Sequence, residues 1–175
     1  MTSPLTLRIR TVSGVISTDD IIPGRYKHMF TDTSELAKHV FENLMPGFAA
    51  TLRSGDAILC RDTFGIGSSR EQAVTSLLAA GVRAVLAPRF GRIFFRNAWN
   101  NGLIAISISI LPVRDLETIE VDLADGRIAG EFGRSQFNPP PPMMLNMIEQ
   151  GGLLAMVQQR VSRRRVAMPM AAAAG

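Results

Sequence analysis

Phe64-Gly65-Ile66-Gly67-Ser68-Ser69-Arg70-Glu71 is the stretch on which the reading of this 175-residue chain turns. It follows Ala57-Ile58-Leu59-Cys60, a short unbroken apolar run of the kind that forms a strand buried on both faces. It precedes a segment of helical character that ends near Ala80, where Gly81 stops it. A second apolar run, Ala84-Val85-Leu86-Ala87, comes next, then a helix over Gly91 to Asn101 and a third strand over Leu103 to Ile110. Strand, helix, strand, helix, strand is the order of an α/β layer. The two glycines therefore sit at the exit of a strand and the approach to a helix.

Working towards the N-terminus, Leu5 to Ile16 mixes apolar residues with Arg8 and Arg10 and reads as a strand. Thr18-Asp19-Asp20-Ile21-Ile22-Pro23-Gly24 reads as a turn, and Arg25 to Phe30 as a loop. Thr33-Ser34-Glu35 opens a helix whose apolar stripe is Leu36, Val40 and Leu44, capped by Asp32 or Thr33 and closed by Pro46-Gly47. Towards the C-terminus, the alternating runs Thr118 to Leu123 and Arg127 to Ala129 flank Asp125-Gly126, a strong hairpin signal. Pro139 to Pro142 is a stiff linker, and Met143 to Gln159 a final helix weakened at Gly151-Gly152. One domain over residues 1–158 and a disordered basic tail over 159–175 is the expected organisation.

Composition removes several classes of function. With 46% hydrophobic and 19% charged residues the chain folds rather than staying disordered. The net charge of +4 vanishes when Arg160, Arg163, Arg164 and Arg165 are set aside, so the basicity belongs to the C-terminal segment and nucleic acid is not an expected partner. Cys60 is the one cysteine, which excludes an intrachain disulfide and any iron–sulfur cluster held by this chain alone. Met1 to Leu5 lacks the basic and apolar segments of a signal peptide, and no apolar run approaches the ~20 residues of a membrane span; the cytoplasm is the expected location.

The central stretch has its own chemistry. A helix start offers unpaired N–H groups and partial positive charge to an anion. Gly67, Ser68 and Ser69 would place backbone and hydroxyl donors there, and Arg70 a planar fork that grips a carboxylate. The same residues also fit a plain capped helix, with Ser68 or Ser69 as the cap. The pattern is neither a Walker A loop, since no Gly-Lys-Ser/Thr follows, nor a dinucleotide fingerprint, since the third glycine is missing. Downstream, Phe94, Phe95 and Trp99 read as core. Arg92 and Arg96, four apart, share a helix face, and their spacing suits an acidic ligand or acidic side chains equally. His28 and His39, the only histidines, have no metal-site spacing.

Three segments together carry a family resemblance. Thr18 to Tyr26 looks like the entry motif of isopropylmalate dehydratase small subunits. Phe64 to Ala73 resembles the glycine–serine–arginine motif that those subunits share with aconitases. Gly91-Arg92-Ile93-Phe94-Phe95-Arg96-Asn97 with Asn101-Gly102-Leu103 is similar to a third signature, in the same order. The likeness covers residues 15–110 and extends to about 158.

The resemblance implies a swivelling β/β/α domain, within the α/β class, that docks on a larger subunit as a heterodimer or heterotetramer. It implies a hydro-lyase, inactive without that partner, in which the large subunit's three cysteines hold a [4Fe–4S] cluster acting as a Lewis acid. It implies isomerisation of 2- and 3-isopropylmalate in leucine biosynthesis, by dehydration and rehydration. Carried over by motif, Ser68 is the base and Arg70 a carboxylate ligand. Ser69 and Gly67 assist, and Arg25, Tyr26, Lys27 and His28 form the loop that meets the small dicarboxylic acid. Lys27-His28 stands where isopropylmalate enzymes often have an apolar residue, a form more similar to dimethylmalate-type dehydratases. A dimethylmalate or homoaconitate-type small subunit, and a non-catalytic dicarboxylate-binding module, are the alternatives.

Overall fold

The computed structural model of the chain describes residues 3–29, 32–68, 70–109 and 111–167; the side chains of Lys27, His28 and residues 163–167 are outside the description. Among the described residues ten strands form two sheets. β1 (Leu5–Val12), β3 (Asp56–Cys60), β5 (Val82–Ala87) and β7 (Ile104–Ser107) run parallel, each paired with the next. Their sheet continues from β1 through antiparallel β8 (Thr118–Asp122), β9 (Arg127–Gly130) and β10 (Gly133–Gln136). A smaller parallel sheet joins β2 (Ile16–Ser17), β4 (Thr63–Ile66) and β6 (Arg89–Phe90). Two sheets and the helices packed on them make the mixed α/β arrangement that the resemblance implies.

The sequence explains most of these elements. All five residues of β3 are buried, as an uninterrupted apolar run between parallel neighbours requires. In β8, Ile119 and Val121 are buried and their neighbours are not, so that strand covers the core with one face. The Asp125-Gly126 turn joins β8 to β9 with Val121 opposite Ile128. Helix α3 (Glu71–Ala79) buries Ala73, Val74 and Leu77. Helix α4 (Arg92–Asn101) buries Phe94, Ala98 and Trp99, while Phe95 packs partly buried against the same core.

Three expectations in the N-terminal third need correction. Thr18–Gly24 is not simply a turn: Thr18–Ile21 forms a short helix, α1, stabilised by a reciprocal capping box in which Ser17 Oγ accepts from Asp20 N at 3.1 Å and Asp20 Oδ2 accepts from Ser17 N at 2.8 Å. The loop after Pro23 is a 3-10 turn over Gly24–His28. Helix α2 stops at Thr33–Ala37 instead of reaching Leu44, although Asp32 caps it through Ser34 N at 2.9 Å as expected. Phe41 has a φ of 57°, its amide donates to Ile21 O at 2.9 Å, and its ring is fully buried against Phe48 and Phe64. Burying that ring and making that long-range bond override the helical period.

The C-terminal expectation changes too. Gly151-Gly152 divides the final segment into α5 (Pro142–Glu149) and α6 (Leu153–Ala167). Residues 159–167, expected to begin a disordered tail, continue α6; their glutamine and arginines are good helix formers. The rest of that tail, 168–175, lies outside the described residues.

The arginines of β1 are also resolved by the fold. Arg8 and Arg10 share one face of the strand and meet Asp56, whose side chain is 1% exposed. Asp56 accepts from Arg8 Nε at 2.7 Å, Arg8 Nη2 at 2.8 Å and Arg53 N at 2.8 Å. Arg10, 7% exposed, reaches Thr51 Oγ1 at 2.9 Å, Thr51 O at 3.0 Å and Asp115 Oδ1 at 3.4 Å, and lies over the Phe48 ring. Buried charge is tolerated in this strand because each guanidinium is paired and hydrogen-bonded.

Candidate functional site

The two glycines of the central stretch shape a loop between β4 and α3. Gly65 has a φ of +77°, and a Cβ placed on it would lie 2.3 Å from Phe94 Cγ, so only glycine lets β4 press against α4. Gly67, at φ +94°, turns the chain outward and leaves the loop exposed. Thr18 Oγ1 donates to Ser68 O at 3.0 Å and pins the loop from the α1 side. Gly65→Ala is expected to cost about 3 kcal/mol, from the disfavoured φ and the overlap with Phe94 together. Urea denaturation checks it; a loss under about 1 kcal/mol would mean that the close approach carries little.

The cap of α3 is Arg70, which makes no side-chain capping bond. Ser68 stands two residues outside the helix and is exposed, and its hydroxyl makes no hydrogen bond with a described residue. The plain capped-helix reading thus loses Ser68 as its cap. Ser69 lies outside the described residues.

Arg70 already holds a carboxylate. Its Nη1 and Nη2 donate to Oδ1 and Oδ2 of Asp19, the second at 3.0 Å, and Nη1 also faces Ile22 O at 3.5 Å. The guanidinium is 15% exposed and Asp19 58%. Nε–H and the second Nη2 hydrogen remain for a further acceptor. Gly24 packs against this pair: a Cβ there would lie 3.1 Å from Asp19 Oδ1 and 3.3 Å from Arg70 Nη1. The 3-10 turn over Gly24–His28 therefore starts directly beside Arg70.

Within that turn, Arg25 and Tyr26 gather on Glu42. The Tyr26 hydroxyl lies 3.0 and 2.9 Å from the two carboxylate oxygens, Arg25 Nη2 donates to Oε1 at 3.2 Å, and His39 Nδ1 is 2.5 Å from Oε2. Arg25 also donates to Asn43 Oδ1 at 3.2 Å and stacks on the Tyr26 ring, which stacks on His39. The hydrogen bond from His39, then that from Tyr26, holds the Glu42 carboxyl below its ordinary range, with the Arg25 charge assisting. Backbone positions of Lys27 and His28 fall in the turn, and their side chains lie outside the described residues.

The structure thus brings Arg70 beside the start of the turn that carries Arg25 and Tyr26, and Gly67 and Ser68 against Thr18 of α1. Asp19 and Glu42 were missed as partners. Asp19 has no local signal tying it to Arg70, which is 51 residues away. Glu42, at i+3 from His39, offered a helical-pair signal, weakened because α2 ends before it.

Cys60 does not fit a cluster ligand. It is 1% exposed within β3, and burial pushes its thiol pKa up, away from the thiolate that metal binding requires. Among the described residues no group of three or more His, Cys, Asp or Glu is arranged to hold a metal ion. No described helix is long and apolar enough to cross a membrane.

Comparison with known proteins bears on the family and the fold. The aconitase C-terminal domain family matches residues 27–110. The chain is 42% identical over 146 residues to 3-isopropylmalate dehydratase small subunit 2 of Archaeoglobus fulgidus, covering 82% of this chain and 88% of that one. It is 43% identical over 141 residues to the methanogen homoaconitase small subunit of Methanothermobacter thermautotrophicus, covering 79% and 82%. The crystal structure of 3-isopropylmalate dehydratase from Methanocaldococcus jannaschii superposes with a TM-score of 0.88 at 32% identity, over 95% of this chain and 100% of that one. With its glycine–serine–arginine loop, its two sheets and these relatives, the chain belongs to the aconitase-type family of 3-isopropylmalate dehydratase small subunits.

Proposed function

We propose that this chain is the small subunit of a heteromeric hydro-lyase of the cytoplasm that interconverts 2- and 3-isopropylmalate, with the [4Fe–4S] cluster on the large subunit. The observation that carries the reading is the Ser68 hydroxyl, exposed, not used as a helix cap, and held on a pinned loop beside Arg70. On this reading Ser68 takes the proton from the carbon next to a substrate carboxylate and returns it on rehydration. Serine is a poor base at neutral pH. Its alkoxide becomes usable only where donors stabilise it, and on this reading the amides at the start of α3, which no side chain caps, and the Arg70 guanidinium supply them.

Arg70 serves the substrate carboxylate through its remaining N–H groups, while Asp19 keeps the fork in plane. Gly67 and Ser69 add donors at the same place. Arg25, Tyr26, Lys27 and His28 border the substituent that distinguishes one malate-type acid from another, with Glu42 fixing Arg25 and Tyr26.

Anaerobic co-purification with the large subunit, followed by turnover assays on isopropylmalate, dimethylmalate, citramalate and homoaconitate, tests this directly. Turnover is expected only when both chains are present, and fastest on isopropylmalate. Faster turnover of dimethylmalate or homoaconitate would move the substrate to the form suggested by Lys27-His28 or by the homoaconitase relative. Tight dicarboxylate binding by the isolated chain, with no turnover in the complex, would make it a binding module instead.

A further inference from the structure

Beside the Ser68 loop the surface opens into a groove of about 530 Å³, lined by Gly65, Ile66, Gly67, Arg92, Ile93 and Arg96. Two apolar side chains stand open in it, Ile66 at 39% exposure and Ile93 at 48%. Arg92 and Arg96 are exposed and make no hydrogen bond or ion pair with a described residue. Arg8, Arg10, Arg25, Arg70, Arg89 and Arg127 each have a carboxylate, whereas the exposed Arg53, Arg83, Arg114 and Arg134 also have none among the described residues; what sets Arg92 and Arg96 apart is that they stand together on one wall of a groove. Two unneutralised guanidinium groups one turn apart on α4 repel each other, so the groove as it stands is electrostatically incomplete. Aliphatic side chains flanked by arginine are also what the buried part of a protein interface is made of.

We propose that this groove receives the large subunit, through a segment that presents a carboxylate side chain next to an aliphatic one. The inference rests on the proposed function and deepens it. A chain that completes the site at Ser68 must come within contact distance of that loop, and Gly65, Ile66 and Gly67 belong both to the loop and to the groove wall. The aliphatic side chain covers Ile66 and Ile93. The carboxylate neutralises Arg92 and Arg96, which steer the encounter and set the register of docking.

The test uses the full chain and the intact large subunit. Arg92→Glu/Arg96→Glu and, separately, Ile93→Asp are compared with the unaltered chain by calorimetric titration against the large subunit at low and raised salt, and by turnover at increasing large-subunit concentration. Position 92 lies in the first turn of α4, where negative charge is favourable, so the fold is expected to persist, with circular dichroism as the check. Should the charge reversal unfold the chain, Arg92→Gln/Arg96→Gln serves in its place. Subunit Kd is expected to rise at least roughly tenfold in each variant, more at low salt for the arginine pair. Turnover is expected to recover its normal kcat and KM once large subunit is in excess. An unchanged Kd overturns the inference. A normal Kd with raised substrate KM also overturns it and gives the arginines to the substrate. An unaltered chain that fails to bind the large subunit at all would overturn the proposed function as well, and so is separate from the first two results.

Discussion

Ser68→Ala, assayed in the assembled enzyme, is expected to lower kcat by roughly a thousandfold, on the order of 4 kcal/mol of barrier, the range of a positioned general base. The side chain is exposed and its hydroxyl has no described partner, so its removal leaves no orphaned donor or acceptor in the folded chain. Thr18 holds the loop through the Ser68 carbonyl, which alanine keeps. Thermal stability and binding to the large subunit are therefore expected to stay within error of the unaltered chain, and KM to change far less than kcat. This split separates chemistry from architecture. A variant with near-normal kcat would take the base role from Ser68, and one with weakened subunit binding would make the hydroxyl a docking group.

Asp56→Ala is expected to have the largest effect on stability, about 3–5 kcal/mol, because it leaves two arginines without their shared buried partner. Asp56 is fully enclosed at the start of β3 and ties that strand to β1, through Arg8 and, at 4.0 Å, Arg10, and to the turn before it through the amide of Arg53. Arg10 retains Asp115 at 3.4 Å, nearer than its 4.0 Å approach to Asp56, but at a carboxylate 41% exposed. Solvent screening weakens such a pair. Chemical denaturation should show the loss as a lower midpoint, with a fall in Tm of roughly 10 °C for a domain of this size. Asp56→Asn, which keeps the shape and some hydrogen bonding, should lose less. Equal, small losses below about 1 kcal/mol in both variants would mean that the arginines find other partners.

Both predictions concern residues that sequence reading treats very differently. The turn that carries Ser68 is legible because its context is local: glycines that permit a sharp turn, then hydroxyl and guanidinium, then a helix; that Ser68 is not the cap of that helix came from the fold. Asp56 reads only as part of a Gly-Asp turn, and nothing nearby says that it is buried under Arg8 and Arg10. The capping box of Ser17 and Asp20 was readable, since the residues are three apart, but the Pro23-Gly24 pair that follows drew the whole segment into a turn. β10 had no signal strong enough to separate it from a loop; its residues are mostly exposed and its order comes from pairing with β9.

The amino-acid sequence by itself determined the alternation of buried strands and helices, the Asp125-Gly126 hairpin, a cap at Asp32 or Thr33 and the glycine turn before α3, because each depends on residues within a few positions of one another. Only the tertiary structure decided that α2 breaks before Phe41, that Asp19 reaches Arg70, that Glu42 gathers Arg25, Tyr26 and His39, and that Arg92 and Arg96 stand beside the Ser68 loop with no ion-pair partner among the described residues. Those outcomes depend on which distant surfaces meet, since a buried ring or a charge takes whatever partner the packed chain delivers, whatever local period or propensity prefers.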